Sequence, residues 1–293
     1  MRVFVTGASG WIGSAVVPSL LEAGHQVVGL ARSAQSAEAL QQAGAEAHHG
    51  GLDDLDSLRA GASGADAVVH LAFKHDFTDY AGAGLTERAA VTTLCDALTG
   101  SDRPFLFASG VGLLTPGRVA TEADPSLGRG PEAPRGGAEQ LAFEYTARGV
   151  RPVALRFAPT VHGDGDHGFV ATLVRIARER GVSAYIGDGA NRWPAVHRFD
   201  AAALVRLALD APAGTVVHAV DEEGVPTRDI AAAIGRGLDL PVAGDATPDD
   251  FAWLGRFFAA DIPASSTLTR SLLDWKPTHP GLLDDLAAGH YFR

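Results

Sequence analysis

The stretch Arg2-Val3-Phe4-Val5-Thr6-Gly7-Ala8-Ser9-Gly10-Trp11-Ile12-Gly13 decides the fold. An apolar run of strand length feeds a turn with evenly spaced glycines, and the apolar helical stretch 14–23 follows. Gly7 permits the tight turn, Gly10 lets backbone approach a pyrophosphate, and Gly13 lets the helix pack closely on the strand. Free N–H groups at the helix start, reinforced by its dipole, favour an anion there. Glycine clusters alone also make ordinary turns; the strand before and the helix after make this one a dinucleotide signal. Gly7, Ser9, Gly10, Trp11, Ile12 and Gly13 are the expected contacts. Gly10 and Gly13 are expected to serve the cofactor rather than folding alone.

The remainder of the chain alternates in the same way. Segments 3–5, 26–30, 46–49, 67–71 and 105–108 read as short apolar strands, separated by Ala- and Leu-rich helical spans starting near Gly13, Ser36, Ser57 and Leu85. Such alternation predicts right-handed crossovers and an α/β, Rossmann-type doubly wound parallel sheet. Segment 153–156 supplies a sixth strand after a helix over 137–148; helices over 169–180 and 201–210 and a strand over 216–220 follow. A chain of 293 residues, 46% hydrophobic, can bury one large core and a smaller one, since single cores stop growing near about 250–300 residues. The dinucleotide-binding domain is placed at 1–160 and a smaller C-terminal substrate-binding lobe at 161–293, with 195–220 packing back on the first domain. Loop 115–137, rich in Pro and Gly, is the long irregular stretch, of the kind that often forms lids or binding loops.

Composition narrows the partners. A formal charge of -11 and no Lys/Arg run exclude nucleic acid and anionic membrane, both of which demand a basic face. No run of about 18 apolar residues exists and Met1 leads directly into a core strand, so a soluble, cytoplasmic protein is expected. The single cysteine, Cys95, lies in the apolar segment 91–98 and reads as buried in a helix. The partner expected is a small-molecule substrate, with a homodimer as a possible assembly.

The spacing Thr6-Gly7-x-x-Gly10-x-x-Gly13 resembles the short-chain dehydrogenase/reductase superfamily, specifically its extended, epimerase-like and atypical branches. Asp66-Ala67-Val68-Val69-His70-Leu71-Ala72-Phe73 resembles the family's fourth strand, whose end lies beside the cofactor; Phe105-Leu106-Phe107-Ala108-Ser109-Gly110 resembles its fifth. Leu155-Arg156 and Val161-His162-Gly163 are similar to the segment after the sixth strand. Ala195-Val196-His197-Arg198-Phe199-Asp200 resembles the family's Val-His-x-x-Asp, and Leu273-Asp274-Trp275-Lys276-Pro277 its Leu-Gly-Trp-x-Pro. The resemblance implies an oxidoreductase moving a hydride to or from a small carbonyl, imine or activated alkene, with the C-terminal lobe covering the nicotinamide. It also implies cofactor contacts from Leu71, Ala72, Phe73, Ser109, Pro159, Thr160 and Val161.

Cofactor choice turns on the end of the second strand, Leu30-Ala31-Arg32-Ser33. A carboxylate there would bind the ribose diol of NAD and repel a 2′-phosphate. Arg32 pairs with a phosphate and stacks on adenine, and Ser33 donates a hydrogen bond, so NADP(H) is favoured over NAD(H). The alternative for Arg32 is a solvated helix-start residue. Where relatives carry an adenine-contacting Asp, this chain has Gly51, leaving Leu52 to frame the ring.

The catalytic set departs from the family, which uses a Tyr, a Lys four residues later and a Ser. Aligned on Arg156 and on Glu139, Arg135 falls at the Lys, Pro131 at the Tyr and Gly110 at the Ser, with Ser109 one residue before it. The nearest tyrosine, Tyr145, is followed four residues on by Gly149. Arg135 holds ribose hydroxyls or a carboxylate but is a poor acid. Tyr at 131, Lys at 135 and Ser at 110 would restore the set if the backbone at Pro131 accepts a helix start. Proton donors are sought in His75, His162, His167 and His197, because histidine titrates near neutrality; His197 also resembles a structural family residue. Lys74, His75, His162, Arg192 and Trp193 are the candidate substrate contacts, with core packing as the alternative for the Trp. The glycine-interleaved Asp164 and Asp166 read as loop, and no metal is expected. Phe251, Trp253, Phe257 and Phe258 read as core or oligomer contact. A non-catalytic NADP(H)-binding regulator or a lyase or isomerase on the same fold stay open, because fold alone does not choose.

Overall fold

A computed structural model describes residues 1–75 and 79–293. The chain begins β1 (Arg2–Thr6), α1 (Gly13–Glu22), β2 (Gln26–Ala31), α2 (Ala34–Gln42), β3 (Glu46–His49), α3 (Leu55–Ser63) and β4 (Ala67–His70). It continues through α4 (Tyr80–Leu98), β5 (Pro104–Gly110), α5 (Ala138–Glu144) and β6 (Arg151–Phe157). α4 starts earlier than its apolar pattern suggests, because Asp79 caps it by accepting a 2.9 Å bond from Gly82 N–H. α5 is shorter than expected: it begins only after three left-handed residues and decays into a 3₁₀ turn over Tyr145–Arg148.

The second half runs β7 (Thr160–His162), α6 (Phe169–Arg180), β8 (Ser183–Ile186), β9 (Arg192–His197), α7 (Arg198–Leu207), β10 (Thr215–Ala219) and β11 (Glu222–Pro226). α8 (Thr227–Leu238), β12 (Val242–Ala246), α9 (Gly255–Phe258), α10 (Thr267–Leu273) and α11 (Leu282–Ala287) complete it. Seven strands form one sheet in the order β10-β6-β5-β4-β1-β2-β3. The pairs β1/β2, β1/β4, β2/β3 and β4/β5 are parallel, which confirms the Rossmann-type fold. The order reverses beside β1, and ligands of such sheets bind at the carboxyl ends there. Thr6 and His70 occupy those ends, paired across β1 and β4.

Two compact units divide the chain. The first holds Met1–Ser109, Pro125–Arg156 and Ala202–Val217; the second holds Gly110–Asp124, Phe157–Ala201 and His218–Arg293. Gly110–Asp124, which a boundary at 160 leaves in the first domain, belongs to the second unit. The isolated bridge from Ala120 to Ala264 and the bonds Glu122 accepts from Thr269 account for it. The first unit's core gathers Phe4, Val68, Leu94, Phe105 and Phe107 around the sheet. Cys95 is buried in it, and that burial pushes its thiol pKa up, away from thiolate chemistry. The second unit's core gathers α6, β9 and α8 around Trp193, Ile230 and Phe258. No described helix is long and apolar enough to cross a membrane.

Candidate functional site

The phosphate loop follows from close backbone approach. A Cβ on Gly13 would lie 2.0 Å from the Gly7 carbonyl oxygen, and one on Gly7, whose φ is +68°, would lie 2.7 Å from the Ala72 nitrogen. These glycines therefore seat α1 on β1 and β1 on the segment after β4. Gly10 differs: its nearest neighbour is the Gly7 oxygen at 3.1 Å and its outer face is open. Gly13 thus faces filled space, as its packing role requires, whereas Gly10 faces open space. Ser9 is exposed beside it, Trp11 and Ile12 are half-buried, and Ile12 caps α1 without a side-chain bond.

At the end of β2, Arg32 is exposed and makes no side-chain hydrogen bond or ion pair among the described residues. Ser33 is the N-cap of α2, accepting from Ser36 N–H at 3.2 Å within a capping box, so its hydroxyl already has a local structural task. Leu52 packs against the first unit's core. Lys74 is tied to Asp53 at 2.6 Å and to the Thr86 hydroxyl at 3.3 Å, which makes it a strut rather than an unengaged substrate cation.

Past β4, Leu71 N–H donates to the Thr6 carbonyl and Ala72 N–H to the Thr6 hydroxyl. Phe73 carries the Arg135 guanidinium 4.4 Å above its ring and meets His75 edge-on at 5.3 Å. Arg135 lies in a left-handed turn, with φ +56°, +60° and +62° at Arg135, Gly136 and Gly137. Its Nη2 donates to Glu87 Oε1 at 2.8 Å, while its Nε is buried with no hydrogen-bond partner among the described residues. Burial alone would push the Glu87 carboxyl up, but Arg135 and His70 outweigh it and hold the pKa near 2. Arg135, Phe73 and His75 thus share one corner of the first unit, while Pro131 and Gly110 contribute no acid to it.

Ser109 has a different setting from the one its alignment suggests. Its hydroxyl donates to Glu139 Oε2 at 2.7 Å, and Glu139 also accepts from Arg156 Nε at 3.1 Å and Nη2 at 2.5 Å. All three residues are buried. The serine proton is engaged in a buried ion-pair network, so Ser109 is a structural residue here rather than an available donor.

The second unit holds the other candidates. Pro159 is half-buried; the Thr160 hydroxyl donates to the Pro194 carbonyl, and Val161 is buried in the β7/β9 pairing. His162 is fully buried, its Nδ1 2.8 Å from Asp285 Oδ2 and its Nε2 without a hydrogen-bond partner among the described residues. Arg192 is clamped by Asp261 through Nε at 3.0 Å and Nη2 at 2.9 Å. Trp193 is fully buried among Phe169, Phe257 and Phe258. Its position is core, the second of the two readings the sequence offered, and β9 is buried along its length from this residue on. Phe251 and Phe258 are core as well, while Trp253 is 45% exposed.

His197, Asp200 and His279 bring potential ligand atoms within 4.8 Å of one another. Their geometry is poor for a shared ion. The two imidazoles stack at 4.7 Å with 6° between planes, so their in-plane lone pairs do not converge. Asp200 is occupied by Thr278 N–H and His279 N–H at 3.0 Å and by His279 Nδ1 at 2.8 Å. Burial, with neighbouring His162 and His279, lowers the His197 pKa to about 4 against the opposing pull of Asp285 and Asp200. The unfolded chain takes up this proton near pH 6.5 while the fold refuses it until about 4. Stability from His197 is therefore full above 6.5 and is lost as pH falls to about 4. Thermal melts should show a wild-type loss across that window that His197→Gln lacks, held by screening to about 1 kcal/mol; parallel pH curves for the two proteins would refute it.

Over residues 3–220 the chain matches the NAD dependent epimerase/dehydratase family, and it belongs to that family. It is 46% identical to an uncharacterised protein of Schizosaccharomyces pombe over the full length of both chains. It is 42% identical to one of Saccharomyces cerevisiae over 99% of each. A 2-alkyl-3-oxoalkanoate reductase of Stenotrophomonas maltophilia is 28% identical over 78% of this chain and 73% of its own. Among solved structures, the UDP-glucose 4-epimerase of Thermotoga maritima superposes with a TM-score of 0.76 at 20% identity, covering 100% of this chain and 98% of that one. That last likeness shows a shared fold. Family membership makes the chain an NAD(P)-dependent enzyme of the short-chain dehydrogenase/reductase superfamily.

Glu87, His70 and Thr6 carry the first unit's buried polar chain, and motif reading missed them. A signal was present. The inward stripe of α4 runs Ala83, Gly84, Glu87, Ala90, Val91, Leu94, Cys95 and Leu98, so a carboxylate stands in an apolar row at helical spacing.

Proposed function

We propose that the protein is an NADP(H)-dependent reductase that delivers a hydride to a carbonyl, imine or activated alkene of a small organic substrate. The observation carrying this reading is the end of β2, where no carboxylate opposes a 2′-phosphate and Arg32 stands exposed and unpartnered among the described residues. The open face at Gly10, against the filled ones at Gly7 and Gly13, fits a pyrophosphate. The relative named for reducing 2-alkyl-3-oxoalkanoates supports a carbonyl acceptor. When bound, the dinucleotide supplies the hydride. Arg135, held face-on by Phe73 and at one nitrogen by Glu87, keeps donors for the nicotinamide ribose. His75, beside the same ring, is the proton donor this corner offers.

A non-catalytic NADP(H)-binding regulator is the second reading, favoured because no Tyr in the sequence is followed four residues later by Lys. Titration calorimetry and a reductase screen separate the possibilities. NADPH should bind at least tenfold more tightly than NADH, and Arg32→Asp should reverse the order, since a lost charge-assisted contact costs about 1.5–3 kcal/mol. Equal affinities for the unmodified protein would refute the cofactor preference. If ketones, imines and activated alkenes all fail to consume NADPH that nevertheless binds, the regulator replaces the reductase.

A further inference from the structure

We propose that Glu87 is a positioning residue that aims Arg135 at the nicotinamide-ribose half of the dinucleotide. The proposal rests on the nucleotide reading above and adds a residue that no motif assigns. The Glu87 side chain is completely buried, and Arg135, which it binds, is only 17% exposed. A buried ion pair contributes little net stability against an apolar pair of similar volume. A leucine would continue the inward stripe of α4, so stability does not explain the carboxylate; the fixed place it gives the guanidinium does.

Three features converge on that place. First, Arg135 adopts φ +56° and ψ +28°, a left-handed conformation unfavourable for a residue with a Cβ. Second, the turn is pressed backbone to backbone on α4. A Cβ on Gly84 would lie 2.9 Å from Gly136 N and one on Gly136 would lie 2.2 Å from Gly84 O, while Arg88 donates to the Gly136 carbonyl at 3.1 Å. The Arg135 side chain is therefore launched from a fixed origin. Third, Glu87 is coupled to the phosphate loop. Its Oε2 lies 3.3 Å from His70 Nε2, and His70 Nδ1 lies 2.6 Å from the hydroxyl of Thr6, the residue before Gly7. Ala72 N–H donates to the same Thr6 hydroxyl, so the loop, His70 and Glu87 lie in one buried polar row. Arg135 keeps a buried Nε with no hydrogen-bond partner among the described residues, a donor that ligand oxygen can satisfy.

The test compares two ligands on the full chain by calorimetry: NADPH, and 2′,5′-ADP, which keeps adenosine, the 2′-phosphate and one phosphate of the pyrophosphate but lacks the nicotinamide-ribose phosphate half. Glu87→Gln should raise the Kd for NADPH at least tenfold and leave that for 2′,5′-ADP within twofold, a split that general loosening of the fold would not give. In an Arg135→Gln background, Glu87→Gln should add nothing further, because Glu87 acts through Arg135. The double variant also removes the unpaired buried charge that the single Arg135→Gln would leave. Unchanged NADPH affinity, parallel weakening of both ligands, or additive losses in the double variant would each overturn the proposal. If the unmodified protein bound neither ligand, the nucleotide reading itself would fall, and this inference with it.

Discussion

Gly10→Val should leave the protein folded and remove dinucleotide binding. The new Cβ meets only the Gly7 carbonyl oxygen, at 3.1 Å, and the rest of the branched side chain projects over the open face of the loop. Two phosphate contacts worth about 1.5–3 kcal/mol each would be blocked, so NADPH affinity should fall by about 100-fold or more, with far-UV dichroism and melting nearly unchanged. Gly13→Ala should do the reverse: a Cβ 2.0 Å from backbone forces α1 away from β1, and melting should drop before any ligand is added. Normal NADPH binding by Gly10→Val would show that the phosphates lie elsewhere.

Arg156→Ala should be among the most destabilising single changes in the first unit. It leaves Glu139 buried with a charge and only the Ser109 hydroxyl for company. Breaking such a pair costs about 3–5 kcal/mol, or roughly 10 °C in melting temperature for a chain of this length. Replacing the whole network, with Arg156→Met, Glu139→Leu and Ser109→Ala together, should recover most of the loss, because volume returns and no charge is stranded. Calorimetric melting of both variants decides it; a triple variant no better than Arg156→Ala would mean that the network holds the fold through directed bonds rather than through charge balance.

The fold was legible because each core strand carries its signal locally. Segment 46–49 and helix 169–180 coincide with β3 and α6, and the other strands of the seven-stranded sheet agree within a few residues. The short strands β7, β8, β9, β11 and β12 escaped notice: at three to six residues they have too few repeats of any period to register, and β9, β11 and β12 carry charged or glycine positions as well. The local geometry was legible where it follows chain order, as in the glycine loop, where Gly7 and Gly13 meet backbone. It was illegible where partners are far apart. Arg192 reads as a substrate-gripping cation until Asp261 is seen beside it, and Ser109 as a hydroxyl of the catalytic set until Glu139 is found to accept its proton. His162 gains its meaning from Asp285, far along the chain on α11.

The left-handed turn at 135–137 bears on how this chain can change over time. Residues four apart face one another only on a right-handed helix, and Arg135 belongs to no such helix. A tyrosine at 131 and a lysine at 135 would restore the letters of the family's motif without its spacing in three dimensions. Unwinding the turn meets obstruction on both sides, because Gly84 opposes Gly136 and the Gly130 oxygen would lie 2.5 Å from a Cβ on Gly137. Installing a tyrosine and lysine pair with helical spacing would require rebuilding both walls together with the turn. Changes at 131 and 135 alone leave the arginine-centred corner in place.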